Sequence, residues 1–151
     1  MKVIAVVGAA RRGKTTSIKK SAEEFADMPE FCTYLSNIVN DEDIQSVIEN
    51  KNGMRIAFCS AGDYWEDVDK NIEFALSNKC DILVAASRSR GAGYNRITEF
   101  MCEKGNSGLI IKTIDFYPEE NVLADNENNH SALSDLTAKH IVSMVKYVIT
   151  R

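Results

Sequence analysis

Val3-Ile4-Ala5-Val6-Val7-Gly8-Ala9-Ala10-Arg11-Arg12-Gly13-Lys14-Thr15 is the stretch on which the reading of this chain turns. Its first five residues are continuously apolar and mostly β-branched, the pattern of a strand covered on both faces. Gly8 ends the run. From Lys14 the apolar positions Ile18, Ala22, Phe25 and Ala26 share one helical stripe, which Pro29 closes. The expectation is a buried strand, a glycine-bounded turn and a helix in direct succession.

The same alternation continues outward. Phe31 to Leu35 reads as a weak second strand. Ile44, Val47 and Ile48 mark a short helix, led in by Asn40 and Asp41 as caps and ended by Asn52-Gly53. Met54 to Cys59 is the third strand, and Val68, Ile72, Ala75 and Leu76 stripe the helix after it. Ile82 to Ala86 is the fourth strand, followed by a helix carrying Ile97, Phe100 and Met101. Leu109 to Ile114 is the fifth. A polar segment, Glu119 to Ser131, leads to a last helix with Ile141, Met144, Val145, Val148 and Ile149 on one face. Within it, Asn121 to Asn129 is the one place long enough for a lid or a disordered loop. The order βαβαβαβαβα predicts a three-layer α/β/α sandwich, a five-stranded parallel sheet with helices on both faces, because right-handed crossovers carry each helix over the sheet. A single domain over residues 1–151 is expected.

Composition agrees with that class. The chain has 151 residues, 44% apolar and 26% charged, with only 2 prolines, which excludes disordered, collagenous and repeat architectures. Its 18 Lys+Arg against 22 Asp+Glu leave a net charge of −4, so the surface as a whole does not favour nucleic acid or an anionic membrane. A local basic patch stays open, and with it a nucleic-acid partner. Cys32, Cys59, Cys80 and Cys102 form no CxxC pair and have no histidine close in sequence, so they read as buried free thiols of a reducing cytosol. The apolar start is cut off by Arg11 and Arg12 too early for a secretion signal, and no run approaches the length of a membrane span. A cytoplasmic location follows as the expectation.

Gly8 to Thr15 also completes a G-x-x-x-x-G-K-[ST] string, for which chance gives well under about one in a hundred at ordinary glycine frequency. Its chemistry is explicit. Glycines let the backbone curl, amide hydrogens converge on phosphate oxygens, and the helix start adds its positive dipole end. Gly8, Ala9, Ala10, Arg11, Arg12, Gly13, Lys14, Thr15 and the following Thr16 are therefore the candidate nucleotide-binding residues. In these residues and their strand–turn–helix setting the chain resembles the P-loop NTPase superfamily, and in layout its small nucleotide-kinase-like members. The resemblance implies ATP or another nucleoside triphosphate with Mg²⁺, Lys14 reaching the β- and γ-phosphates and Thr15 ligating the metal. Kinases, switches and motors share this cradle, so it does not choose among them.

The resemblance also leads one to look for an acid near a neighbouring strand end. Asp63, after the turn Ser60-Ala61-Gly62, is the candidate for metal binding and catalysis, with a helix cap before Tyr64 as the equal alternative. Asp63 and Ser60 reach the phosphates if the third strand neighbours the first. Arg88 and Arg90, in the turn after the fourth strand, are candidate catalytic arginines for transferring phosphate oxygens, a solvated loop being the alternative. Arg96 follows one helical turn on, and Arg11 and Arg12 add positive charge at the same mouth. Asn78-Lys79-Cys80-Asp81 spells a guanine-recognition string but precedes the fourth strand, at the edge away from the phosphates. A D-x-x-G string is missing, and Ala9 and Ala10 stand where the partition-ATPase and nitrogenase-iron-protein branch would need a lysine. ATP is favoured by elimination. Tyr64 and Trp65 either wall an acceptor or anchor the core; His130 and His140 read as surface or partly buried residues, and Asn126, Asn128 and Asn129 as a solvated loop, with contact to a base as the alternative. The leading expectation is a small phosphotransferase, although Leu35-Ser36-Asn37 ends the second strand without the acid such kinases often carry. The alternative is an NTPase or nucleotide-sensing module acting on a protein or nucleic-acid partner.

Overall fold

β1 (Lys2–Val7) sits inside the sheet, parallel to β5 (Ile82–Ser87) on one side and to β6 (Ser107–Lys112) on the other. That position explains its unbroken apolar run, since Val3 to Val7 are each no more than 1% exposed. Ile4 and Val6 point to one core, with Ile18, Phe25, Ile141 and Val145. Val3, Ala5 and Val7 point to the other, with Val68, Ile72, Ile97 and Phe100. These apolar stripes come from helices α1 (Lys14–Asp27) and α4 (Asn126–Ile149) on one face, and α2 (Trp65–Ser77) and α3 (Ala92–Cys102) on the other. The structure is a computed structural model, described for residues 1–9, 13–114 and 126–151, with backbone only for 126–129.

The sheet corrects the expected fold. Its order is β2-β3-β4-β5-β1-β6, with β2 (Phe31–Val39), β3 (Asp43–Asn50) and β4 (Arg55–Cys59) completing six strands. β4, β5, β1 and β6 pair in parallel, but β2–β3 and β3–β4 are antiparallel. A six-stranded mixed sheet therefore replaces the five-stranded parallel sheet of P-loop type. The helix expected at Ile44, Val47 and Ile48 is β3. Ile44 and Ile48 pack into one core and Val47 into the other, so a strand buried on both faces imitates the helical spacing. Asn40 (φ 50°) and Asp41 (φ 63°) are not caps; both turn left-handed in the short connection between β2 and β3, a conformation these side chains tolerate.

This hairpin changes what reaches the functional edge. In open α/β sheets ligands sit outside the carboxyl ends of the parallel strands, here beyond Val7, Cys59, Ser87 and Lys112. β3 runs antiparallel to β4, with Gln45 opposite Cys59, so β3 brings its first residues to that edge rather than its last. Two further expectations need correcting. β5 stands between β1 and β4, so the third predicted strand does not neighbour the first. Cys59 and Cys80 are buried, but Cys32 and Cys102 are exposed. Among the described residues no helix is long and apolar enough to cross a membrane.

Candidate functional site

Gly8 leaves β1 between two strands, donating its amide to Ser87 O at 3.2 Å. A Cβ there would lie 2.2 Å from Thr113 Oγ1, so any larger residue at the start of the turn would displace the Thr113 side chain. At the far end Gly13 is left-handed (φ 78°), and a Cβ would meet Ser134 Oγ of α4 at 2.5 Å. Ser17 secures this end: its amide and hydroxyl donate to Gly13 O at 2.9 and 2.6 Å. Lys14 is 6% exposed, with Nζ donating to Gly8 O at 3.0 Å and Ala9 O at 2.7 Å and lying 3.7 Å from Asp63 Oδ1. Of the predicted phosphate-binding residues, Ala10, Arg11 and Arg12 lie outside the described residues.

Asp63 reaches Lys14 although β4 and β1 are not neighbours. Gly62 is responsible, since its backbone passes so close to β5 that a Cβ would sit 2.3 Å from Ala86 O. The chain leaving β4 thus crosses the end of the intervening strand. Buried Asn71 holds the crossing, donating Nδ2 to Ala61 O at 2.6 Å. Asp63 then stands between two cations, Lys14 and Arg88, the latter donating Nε to Asp63 Oδ1 at 3.1 Å. The capping alternative falls elsewhere: Tyr64 is the N-cap of α2, and its amide donates to Asp67 Oδ2 at 3.2 Å.

A second acid, unforeseen from the sequence, stands at Thr15. Asp43 Oδ1 accepts the Thr15 hydroxyl at 3.0 Å and the Ser60 hydroxyl at 2.8 Å. Ser60 is itself locked to the hairpin, its amide donating to Ile44 O at 3.0 Å and its Oγ accepting from the Ile44 amide at 2.9 Å. Asp43 was hidden by the helical reading of Ile44 to Ile48. The signal that finds it is Asn-Asp between two β-rich runs, which marks a hairpin and sends the following acid to the edge.

Lys14, Thr15, Thr16, Asp43, Ser60 and Asp63 border one cleft of about 850 Å³. Its rim continues through the hairpin turn, Tyr64 and the α4 start at His130 and Ser134. Arg88 touches the site through Asp63, whereas exposed Arg90 is not among the cleft-lining residues. Arg96 is turned to α2, donating Nε to Asp69 at 2.8 Å. Tyr64 and Trp65 are 71% and 45% exposed, so neither anchors the core, and His140 is exposed. Asn78 to Asp81 lies at the opposite edge, where the Lys2 amide donates to Asp81 O and the Asp81 amide to Arg55 O.

Among the described residues no group of three or more His, Cys, Asp or Glu is arranged to hold a metal. Thr15, Ser60 and Asp43 nevertheless present hard oxygen donors at one point. That set suits Mg²⁺, which takes one or two protein oxygens and completes its shell with phosphate and water. No protein-family profile, curated protein or solved structure matches the chain.

Proposed function

We propose that this protein binds Mg²⁺-ATP at the Gly8–Thr16 turn and transfers the γ-phosphoryl group to a small acceptor. The observation that carries the reading is the convergence of Lys14, Thr15, Asp43 and Asp63 on one cleft at the carboxyl edge of the parallel strands. The glycine-bounded turn supplies amides and α1 supplies its N-terminal dipole, with no acid in its first turn to oppose an anion. Lys14 and Arg88, which share Asp63, are the cations a polyphosphate recruits. Thr15 and Asp43 hold the metal, and magnesium bound there neutralises charge on the phosphate oxygens. Asp63 positions Lys14 and Arg88. The guanine string lies at the wrong edge, which leaves ATP as the nucleotide of choice.

The test is nucleotide binding by calorimetry, followed by acceptor-dependent ADP release. Wild type is expected to bind ATP more tightly with Mg²⁺ than without, and Lys14→Ala to lose at least about tenfold in affinity, the worth of one charge-assisted contact. Equal affinity in the two proteins, or no binding by wild type at millimolar ATP, overturns the assignment. Slow hydrolysis that no acceptor stimulates would replace transfer with an NTPase or nucleotide-sensing role.

A further inference from the structure

A second groove opens beside the main cleft, between the β2–β3 turn and α2, with a volume of about 420 Å³. Asn40 and Asp67 line both cavities, so the two adjoin at these residues. We propose that this groove holds the phosphoryl acceptor, a neutral hydroxyl-bearing molecule of nucleoside or monosaccharide size. The inference rests on the reading of the main cleft as a Mg²⁺-ATP site.

The size is appropriate, since small-molecule pockets run from about 300 to 1,000 Å³. The lining chooses the chemistry. Gln45 of β3 donates Nε2 to Asn71 Oδ1 of α2 at 3.1 Å, and Asn71, only 1% exposed, passes the contact to Ala61 O. This fixed amide pair, one member buried, forms a polar floor suited to hydroxyl, carbonyl or ring-nitrogen partners. Val39 and half-buried Phe74 add apolar surface for the face of a sugar or base. The charges argue against an anionic acceptor. One cation, Lys70, stands against two acids, Asp67 and Glu73, and Lys14 and Arg88 are not among the groove's lining residues. A phosphorylated acceptor would meet net negative charge, whereas a neutral alcohol meets no such repulsion.

Asp67 occupies the junction, with Oδ2 accepting the Tyr64 amide. The acceptor's hydroxyl oxygen forms the new bond to the γ-phosphorus while the bond from that phosphorus to the β,γ-bridging oxygen breaks. ADP departs with that electron pair, and the hydroxyl proton passes to the Asp67 carboxylate.

The experiment measures ADP formation by the full chain with Mg²⁺-ATP and two matched panels. One holds adenosine, cytidine, uridine, thymidine, glucose and ribose; the other holds their 5′- or 6-phosphates. Stimulation of at least tenfold by a neutral compound, without stimulation by its phosphate, is the expected result, and the stimulating member tells nucleoside from sugar. Gln45→Ala should raise that compound's KM by about threefold to tenfold, the worth of a hydrogen bond, and Asp67→Asn should lower kcat much more than it changes KM. Mg²⁺-ATP affinity of each variant, taken in parallel, reports that it is folded. Stimulation by phosphorylated compounds only, or by none while Mg²⁺-ATP still binds, overturns this acceptor assignment and leaves the nucleotide site standing. Failure of wild type to bind Mg²⁺-ATP removes both.

Discussion

Thr15 Oγ1 donates to Asp43 Oδ1 across 3.0 Å, although the two residues are 28 apart and stand on α1 and β3. The bond ties the start of β3 to the first turn of α1. Ser60, the residue after β4, reinforces it, so three parts of the chain meet on one carboxylate oxygen. A hydroxyl that donates to a carboxylate keeps its own lone pairs available for a cation. On the proposed reading, this pair is where Mg²⁺ would sit, between a neutral and a charged oxygen.

Asp43→Asn removes the charge and keeps the shape. We expect it to weaken Mg²⁺ binding in the presence of ATP by about tenfold to a hundredfold, the range for losing a charged partner. ATP affinity without Mg²⁺ should stay within about threefold, because Lys14 and the turn amides are untouched. Titrating Mg²⁺ at fixed ATP reads the first quantity and calorimetry in chelator the second. An unaltered Mg²⁺ requirement would place the metal on other ligands.

Gly62→Ala tests the crossing over β5. A Cβ 2.3 Å from Ala86 O meets backbone rather than a flexible side-chain end, so the loop must move. The expected cost in urea unfolding is about 1–3 kcal/mol, the range for overpacking a filled site. Catalysis should fall further than stability explains, since Asp63, the next residue, loses its place between Lys14 and Arg88. Unfolding and turnover both like wild type would mean that the backbone passes farther from Ala86.

These two acids show how far the sequence can be read. Val3 to Val7 and the stripe from Lys14 announce their strand and helix because burial on both faces and helical periodicity are local properties. The helices α2 and α3 and the strands β4 and β5 are equally legible from their stripes and runs. β3 was not, because burying Ile44 and Ile48 on one face and Val47 on the other reproduces helical spacing. The error concealed Asp43. The proximity of Asp63 to Lys14 likewise depends on strand order, which comes from pairing between distant segments and leaves no mark in a short window. The exposure of Cys32 and Cys102 is illegible for a related reason, since residue type carries an average burial and not a position.

Arg88→Ala should separate chemistry from folding. The Arg88–Asp63 pair is exposed at 41% and 48%, so its contribution to stability is small, in the range of about 0.2–1 kcal/mol measured for such pairs. If Arg88 leaves Asp63 for the γ-phosphoryl oxygens as charge develops, kcat falls by at least about tenfold with ATP affinity little changed. Equal losses in kcat and in affinity would make Arg88 a ground-state contact. Arg90→Ala, at an exposed position that does not line the cleft, is expected to behave as wild type in the same assays.

The cysteines give a prediction independent of nucleotide. Burial pushes the Cys80 thiol from its ordinary 9.0 up to about 11, with Arg55 nearby pulling it down and Asp81 pushing it up. Burial raises Cys59 as well, with Cys80 adding to the effect. At pH 8 a thiol-specific disulfide reagent should modify exposed Cys32 and Cys102 promptly, and Cys59 and Cys80 only after unfolding. The sign of the pH effect on stability follows from proton binding. Above pH 9 the unfolded Cys80 thiol loses its proton while the native one keeps it until about 11, so the unfolded state binds fewer protons. The stability this thiol contributes is complete below 9 and is lost as pH rises towards 11. Urea unfolding at pH 8, 9, 10 and 11 measures the decline, which should be shallower in Cys80→Ala than in wild type; parallel declines would assign the alkaline loss to other groups.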